Sequence, residues 1–230
     1  MSKPQPLTPD TDSGDTRQRL LLSALHLYAT QGLQAVSLRS ISAAAGSRNS
    51  AAMHYHFHNK MGVIQALVEL IAAELASTDR RLRAGQSAPG SLRQACHATL
   101  LPLLQLPEAQ PWGRDAVRFI SRLVSDSDPE IADLVNRVFA PFWQRLDQAL
   151  AAQLPQLPAP VRRLRLMFMS TNILHGAAEV AWLAHSPLGD MSRHFDENTL
   201  LENLLDYLLG GLQAPTSNNT KPVPEQRGKP

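Results

Sequence analysis

The chain has 230 residues, 43% hydrophobic and 18% charged, which excludes a disordered protein and leaves room for one or two domains with a substantial core. Its net charge of +2 says nothing about partners by itself, and a single cysteine, Cys96, excludes an internal disulfide or a four-cysteine zinc cage. The opening MSKPQPLTPDTDSGD lacks the apolar stretch of a secretory signal, and no run of about 18 apolar residues stands out, so a cytoplasmic protein without a membrane span is expected.

Residues 1–15, rich in Pro, Asp, Ser and Thr, read as a mobile arm. A first helix is expected from Thr16 to Gln31, with Leu21, Ala24, Leu25 and Tyr28 as its buried stripe and Gly32 as its stop. Leu38, Ile41 and Ala45 then recur at i, i+3 and i+7, the stripe of a short amphipathic helix. Ser37 stands at its N-cap, and Gly46 ends it where positive φ is needed. A third short helix is expected from Ser50 to Phe57, with Ala52, Met53, His56 and Phe57 turned inward. Helix, tight turn and helix over residues 37–57 is the arrangement that sets a second helix in the DNA major groove.

Asn59 is the expected cap of a fourth helix, striped by Val63, Leu67, Leu70, Ile71 and Leu75 and ending near Arg83. Residues 85–90 break the chain. Helices are then expected over 91–105 and 112–125, separated by a Pro107–Pro111 interruption. Ser127-Asp128-Pro129-Glu130 is a helix-start signature for a segment running to Gln153, with a kink predicted near Arg137 from Pro141. Pro155, Pro158 and Pro160 form a connector, followed by helices over about 161–185 and 198–212, the last terminated by Gly210-Gly211. Residues 214–230 read as a disordered tail. No β pattern occurs, so the fold class is all-α. The domains follow as 16–76 for the helix-turn-helix unit and 77–213 for a larger helical unit.

Charge is unevenly placed. Residues 16–65 hold five cations (Arg17, Arg19, Arg39, Arg48, Lys60) and no acid, whereas the remainder holds 17 cations and 20 acids. A polyanion is therefore drawn to the N-terminal unit.

The matching residues Gly32-Leu33, Ser37-Leu38-Arg39, Ile41-Ser42, Ala45-Gly46, Tyr55-His56-Phe57 and Asn59-Lys60 carry a resemblance over residues 16–75. The segment resembles the DNA-binding domain of the TetR/AcrR family of bacterial transcriptional regulators. Between Gly46 and Phe57 the chain carries one residue more than the commonest family pattern, within Ser47-Arg48-Asn49-Ser50.

Position on the third helix nominates Asn49, Ser50, Ala51, His54, Tyr55 and His58 as its outward face. Short side chains there let the helix approach base edges, and Ala51 suits a thymine methyl. Arg39, near the start of the second helix, can donate to guanine or phosphate. The resemblance implies that His54 and Tyr55 take the place of an aromatic pair that grips phosphate and sugar, and that Lys60 is a phosphate-binding lysine. Arg48 contributes general attraction. His54-x-His56-x-His58 is not expected to bind metal, because His56 lies across the helix from the other two and no carboxylate is near. No phosphate-cradling loop, nucleophile elbow or cofactor motif occurs, so neither an enzyme nor a cofactor is expected.

The resemblance also implies a small-molecule pocket in the C-terminal two-thirds. Asn172, His175 and Glu179 fall at i, i+3 and i+7 beside Met167, Phe168 and Met169, either orienting a ligand in an apolar wall or bonding to neighbouring helices or across the dimer. Trp112, Phe119, Arg122, Phe139 and Trp143 are further candidates, with ordinary core packing the alternative for the apolar ones and Arg122 a partner for an acidic effector. On the last helix, Leu200, Leu204, Leu208 and Leu212 form one row and Leu201, Leu205 and Leu209 another. That width fits either a fully buried helix or a dimer built from two copies of the last two helices, and the resemblance favours the dimer.

The expected function is a homodimeric, sequence-specific transcriptional regulator, a repressor released from a palindromic operator on double-stranded DNA by a small-molecule effector. The alternative is a helical interaction or scaffold protein whose helix-turn-helix no longer binds DNA.

Overall fold

The computed structural model describes residues 11–47, 51–85, 89–178 and 193–216, with 185, 187, 189 and 190; every regular element longer than one turn among them is an α-helix. Arg48, Asn49, Ser50, Glu179, most of the expected arm and tail, and the expected helix end beyond Ala178 lie outside the described residues. The elements are α1 (Thr11–Gln31), α2 (Leu38–Ala44), α3 (Ala51–Phe57), α4 (Lys60–Arg83), α5 (Leu92–Ala109), α6 (Gly113–Val124), α7 (Pro129–Gln153), α8 (Ala159–Ala178) and α9 (Glu197–Gln213).

Helix starts follow local side-chain chemistry. Ser37, Asn59, Ser91, Asp128 and Asp196 each accept a backbone N–H of the first turn, satisfying a donor that the helix itself leaves unpaired. Their extended backbone precedes the helix as an N-cap requires. Helix α1 begins at Thr11, five residues before the expected start, and Asp15 pairs with Arg19 one turn on.

Two stops fail where packing overrides local preference. Helix α5 runs through Pro107 to Ala109 instead of ending at Gln105. Leu103 and Leu106 are buried there, and α6 closes directly on this turn. A Cβ on Gly113 would collide with the Leu106 carbonyl, so the approach requires glycine. Helix α9 runs through Gly210-Gly211 to Gln213. Burial of Leu208, Leu209 and Leu212 holds its last turns, and the Arg165 guanidinium donates to the carbonyls of Leu212, Ala214 and Pro215. Helix α7 continues through Pro141.

The core is continuous from α1 through α9. Helix α6 packs against α1, α5 and α8, and so joins the N-terminal unit to the rest. Helix α4 is long and apolar enough to cross a membrane by composition, although no such span is expected from the sequence. Its Val63, Ile64, Leu67, Val68 and Ile71 are buried in the protein core instead.

The α9 leucines whose side chains are described resolve inward. Leu205, Leu208, Leu209 and Leu212 are buried within the protomer, and Leu200 and Leu204 are half-buried. Among the described residues, the large apolar side chains exposed on α8 and α9 are Leu164, Met167 and Phe168 on α8 and Tyr207 on α9. These leucines therefore supply core, and among the described residues the outer apolar stripe lies mainly on α8.

Candidate nucleic-acid interface and effector cavity

Helix α2 opens with a reciprocal cap: Ser37 Oγ accepts from the Ser40 amide at 3.1 Å, and Ser40 Oγ accepts from the Ser37 amide at 3.0 Å. Gly46 follows with φ 70° and turns the chain toward α3. Helix α3 has only two turns, so tertiary contacts must hold it. Met53 and Phe57 are buried beneath it, the Arg17 guanidinium lies 5.2 Å from the Phe57 ring centroid, and α4 closes on its end at Gly62. A Cβ on Gly62 would meet the Phe57 carbonyl.

The opposite side of α3 is open. Ala51, His54 and Tyr55 are exposed, and Tyr55 stands out with 78% of its surface free while its ring meets His56 edge-on at 4.9 Å. His58 leaves the helix with φ 63°, and its carbonyl accepts from His54 Nδ1 at 2.9 Å. That bond fixes the His54 ring and leaves Nε2 toward solvent. Arg39 on α2 is exposed, and Lys60, the first residue of α4, is half-exposed. These five candidates (Arg39, Ala51, His54, Tyr55, Lys60), with exposed His58, are accessible to an outside partner; His56 is half-buried.

The N-terminal unit rests on α6, and three contacts orient it. Tyr28 of α1 stacks on Phe119 at 6.0 Å between centroids, both rings wholly buried. His26 Nδ1 donates to Asp115 Oδ2 at 2.9 Å, and Arg122 Nε donates to the Ala29 carbonyl at 3.0 Å. Burial pushes the Tyr28 hydroxyl up to about 12, and its oxygen has no hydrogen-bond partner among the described residues.

Behind α6 lies a cavity of about 170 Å³. Ala72, Leu75 and Ala76 of α4, Leu100 and Leu103 of α5, Ile120 and Val124 of α6, and Ile173 and Leu174 of α8 form its apolar walls. Helix α7 contributes Val135, Val138 and the rings of Phe139, Phe142 and Trp143, with Phe142 and Trp143 edge-to-face at 4.8 Å. Pro102 and Pro141, each of which removes a ladder donor from its helix, both stand in the wall. Polar side chains are few: Asp79, Arg145 and Ser170.

Of the residues nominated from sequence, Phe139 and Trp143 line this cavity. The others lie elsewhere. Phe119 faces α1, Arg122 caps the end of α1, and half-buried Trp112 precedes the first residue of α6. Met167 is exposed, and Asn172 is exposed with its amide donating to the Phe168 carbonyl of its own helix. His175 ties α8 to α6: Ser121 Oγ lies 3.0 Å from Nδ1 and Ser125 Oγ 3.4 Å from Nε2. Because the Ser125 hydroxyl donates to the Ser121 carbonyl, Nε2–H donates to Ser125 and Ser121 donates to Nδ1. Asn172 thus looks outward while His175 turns toward α6, and neither lines the cavity. Asp79 and Arg145, which no motif in the sequence marks, also line it.

A helix-turn-helix unit mounted on a cavity-bearing all-helical body defines the class of one-chain DNA-binding regulators. The family described as tetracyclin repressor-like, C-terminal domain, matches residues 97–211. Among solved structures, the chain is similar to the fatty acid degradation regulator FadR from Bacillus halodurans, with 16% identity and TM-score 0.62, covering 92% of this chain and 100% of that one. It is similar to NalD, the secondary repressor of the MexAB-OprM multidrug efflux pump in Pseudomonas aeruginosa, with 22% identity and TM-score 0.56, covering 87% and 96%. FadR from Bacillus subtilis, solved in complex with stearoyl-CoA, gives 14% identity and TM-score 0.59, covering 84% and 98%. Comparison with curated protein sequences gives no significant match. The chain belongs to the TetR family of transcriptional regulators.

Proposed function

We propose that this regulator is a homodimeric, cytoplasmic repressor that leaves a palindromic operator when a small molecule enters the cavity. The observation that carries this reading is the shared role of α4 and α6. Both line the cavity, and both also hold the N-terminal unit, α4 through Gly62 beneath α3 and α6 through the Tyr28–Phe119 stack. A ligand that favours one arrangement of α4 and α6 thereby favours one placement of α3, and operator affinity falls by that preference. NalD is named as a repressor, and one FadR structure holds stearoyl-CoA, which supports ligand-controlled repression as the pattern for this fold.

Tyr55, His54, Arg39 and Lys60 are the proposed DNA contacts, with Ala51 against base edges, Asn49, Ser50 and His58 assigned to the same contact face from the sequence, and Arg48 adding general attraction. The exposed stripe of Leu164, Met167 and Phe168 with Tyr207 supports pairing through α8 and α9. A twofold dimer presents its two α3 helices to half-sites about 34–36 Å apart.

The test is a gel shift on the DNA upstream of the protein's own gene. Tyr55→Ala is expected to weaken the complex at least tenfold, and native affinity is expected to fall steeply between low and physiological salt as phosphate contacts are screened. Equal binding by the native and Tyr55→Ala proteins removes α3 from the interface.

A further inference from the structure

The cavity's walls are apolar almost throughout, so its occupant must be apolar over most of its length. Its chemistry is decided by the few polar groups. Ser170 is buried and donates its proton to the Leu166 carbonyl at 2.7 Å, so within the cavity it offers only lone pairs. Asp79 is already engaged on both oxygens: Arg83 Nε donates to Oδ1 at 2.6 Å, and Arg145 lies 3.8 Å from Oδ2.

A cationic head would have to displace both arginines from Asp79. An anionic head has a ready partner. Arg145 lines the cavity, is 46% exposed along its side chain, and among the described residues makes only a long contact with Asp79. The three charges at this end sum to +1, one acid against two guanidiniums, so an added carboxylate completes the pairing instead of opposing it.

We infer that the effector class is an amphipathic monocarboxylic acid, its hydrocarbon or aryl body among Leu103, Phe139, Trp143 and Leu174 and its carboxylate on Arg145. This rests on the cavity being the effector site, as proposed above, and adds which chemistry it selects. The aromatic walls suit either an alkyl chain or a flat ring. Arg145, not Arg122, takes the role of acid partner, because Arg122 is committed to the Ala29 carbonyl at the far side of α6.

Titration calorimetry of the full-length protein with decanoate, decanol and decylamine separates head from tail, since the three share one chain. Decanoate is expected to bind at least tenfold more tightly than the alcohol and the amine. Arg145→Gln is expected to reduce decanoate affinity about tenfold, the loss of one charge-assisted contact, while leaving decanol unchanged. Arg145→Lys is expected to keep part of the preference. Leu103→Trp, which fills the cavity, abolishes all binding if the tail lies there; melting curves establish that each variant is folded. Indifference to the head group, preference for decylamine, an unaltered Arg145→Gln isotherm, or no binding by any of the three overturns the inference. Gel shifts run alongside keep the two readings apart. Operator binding without decanoate binding sinks the ligand class alone, and decanoate binding that leaves the operator complex intact sinks the release mechanism alone.

Discussion

Tyr28 and Phe119 meet ring to ring, 6.0 Å apart and inclined by 22°, at the seam where α1 rests on α6. Both are wholly buried, so the seam is a piece of core and not a flexible joint. The N-terminal unit cannot swing freely; it follows α6. The long-range contacts of His26 with Asp115 and Arg122 with Ala29 flank the same seam and fix its orientation.

Phe119→Ala is expected to cost about 3–5 kcal/mol, the range for emptying a buried aromatic site. Urea unfolding measures it. Phe119→Leu should retain most of the stability, and a loss below about 1 kcal/mol for the alanine variant would show that the seam collapses around the gap.

Gly62→Ala tests how α3 is held. The added methyl meets the Phe57 carbonyl, backbone that cannot yield without moving the end of α3. Operator affinity is expected to fall at least tenfold while helix content by circular dichroism stays near native, because α5 to α9 do not depend on this contact. Unchanged affinity would mean that α4 shifts without carrying α3.

Asp147 binds the two sides of the α7–α8 connector, accepting from Arg162 Nε at 2.7 Å and Arg163 Nε at 3.0 Å. The Arg162 hydrogen bond above all holds its carboxyl below the ordinary carboxylate range, against an opposing effect of desolvation and with Arg163 adding to it. A carboxyl lowered in the folded state stabilises it fully above the unfolded value, near 3.9, and loses that contribution as pH falls through the lower folded value. Asp147→Asn is therefore expected to destabilise by about 1 kcal/mol near neutral pH. The difference from native should shrink once the pH drops below about 4. Urea midpoints across a pH series check it, and a gap that widens in acid contradicts the assignment.

Phe168→Glu together with Leu164→Glu probes the exposed stripe of α8. Both side chains are more than half exposed in the protomer, so the substitutions are expected to change its stability by less than about 0.5 kcal/mol. If the stripe is the dimer face, light scattering should show the mass halved at micromolar concentration; an undisturbed dimer would move the interface elsewhere.

Features written in adjacent residues are legible from the amino-acid order alone. Ser37 and Asn59 cap where their hydroxyl and amide oxygens predict, and Gly46 turns with positive φ. The outward face of α3 follows from helical period alone, since two inner positions, Met53 and Phe57, fix the rest. The cavity is much less legible. Phe139 and Trp143 are found because large aromatics on a helix stripe face inward, but Phe119 obeys the same rule and packs on the N-terminal unit.

Composition and periodicity by themselves determined that the chain is all-helical, where most of its helices begin, and that a short acid-free pair of helices stands near its N-terminus. Each rests on forces acting within a turn or two: capping, stripe spacing and the steric freedom of glycine. Only the tertiary structure decided that Pro107 and Gly210-Gly211 do not stop their helices, that Leu205, Leu208, Leu209 and Leu212 of α9 point inward, and that Arg145 and not Arg122 reaches the cavity. Those outcomes depend on which neighbour a face meets, and burial against a distant helix outweighs the local preference of about 1 kcal/mol that a glycine expresses.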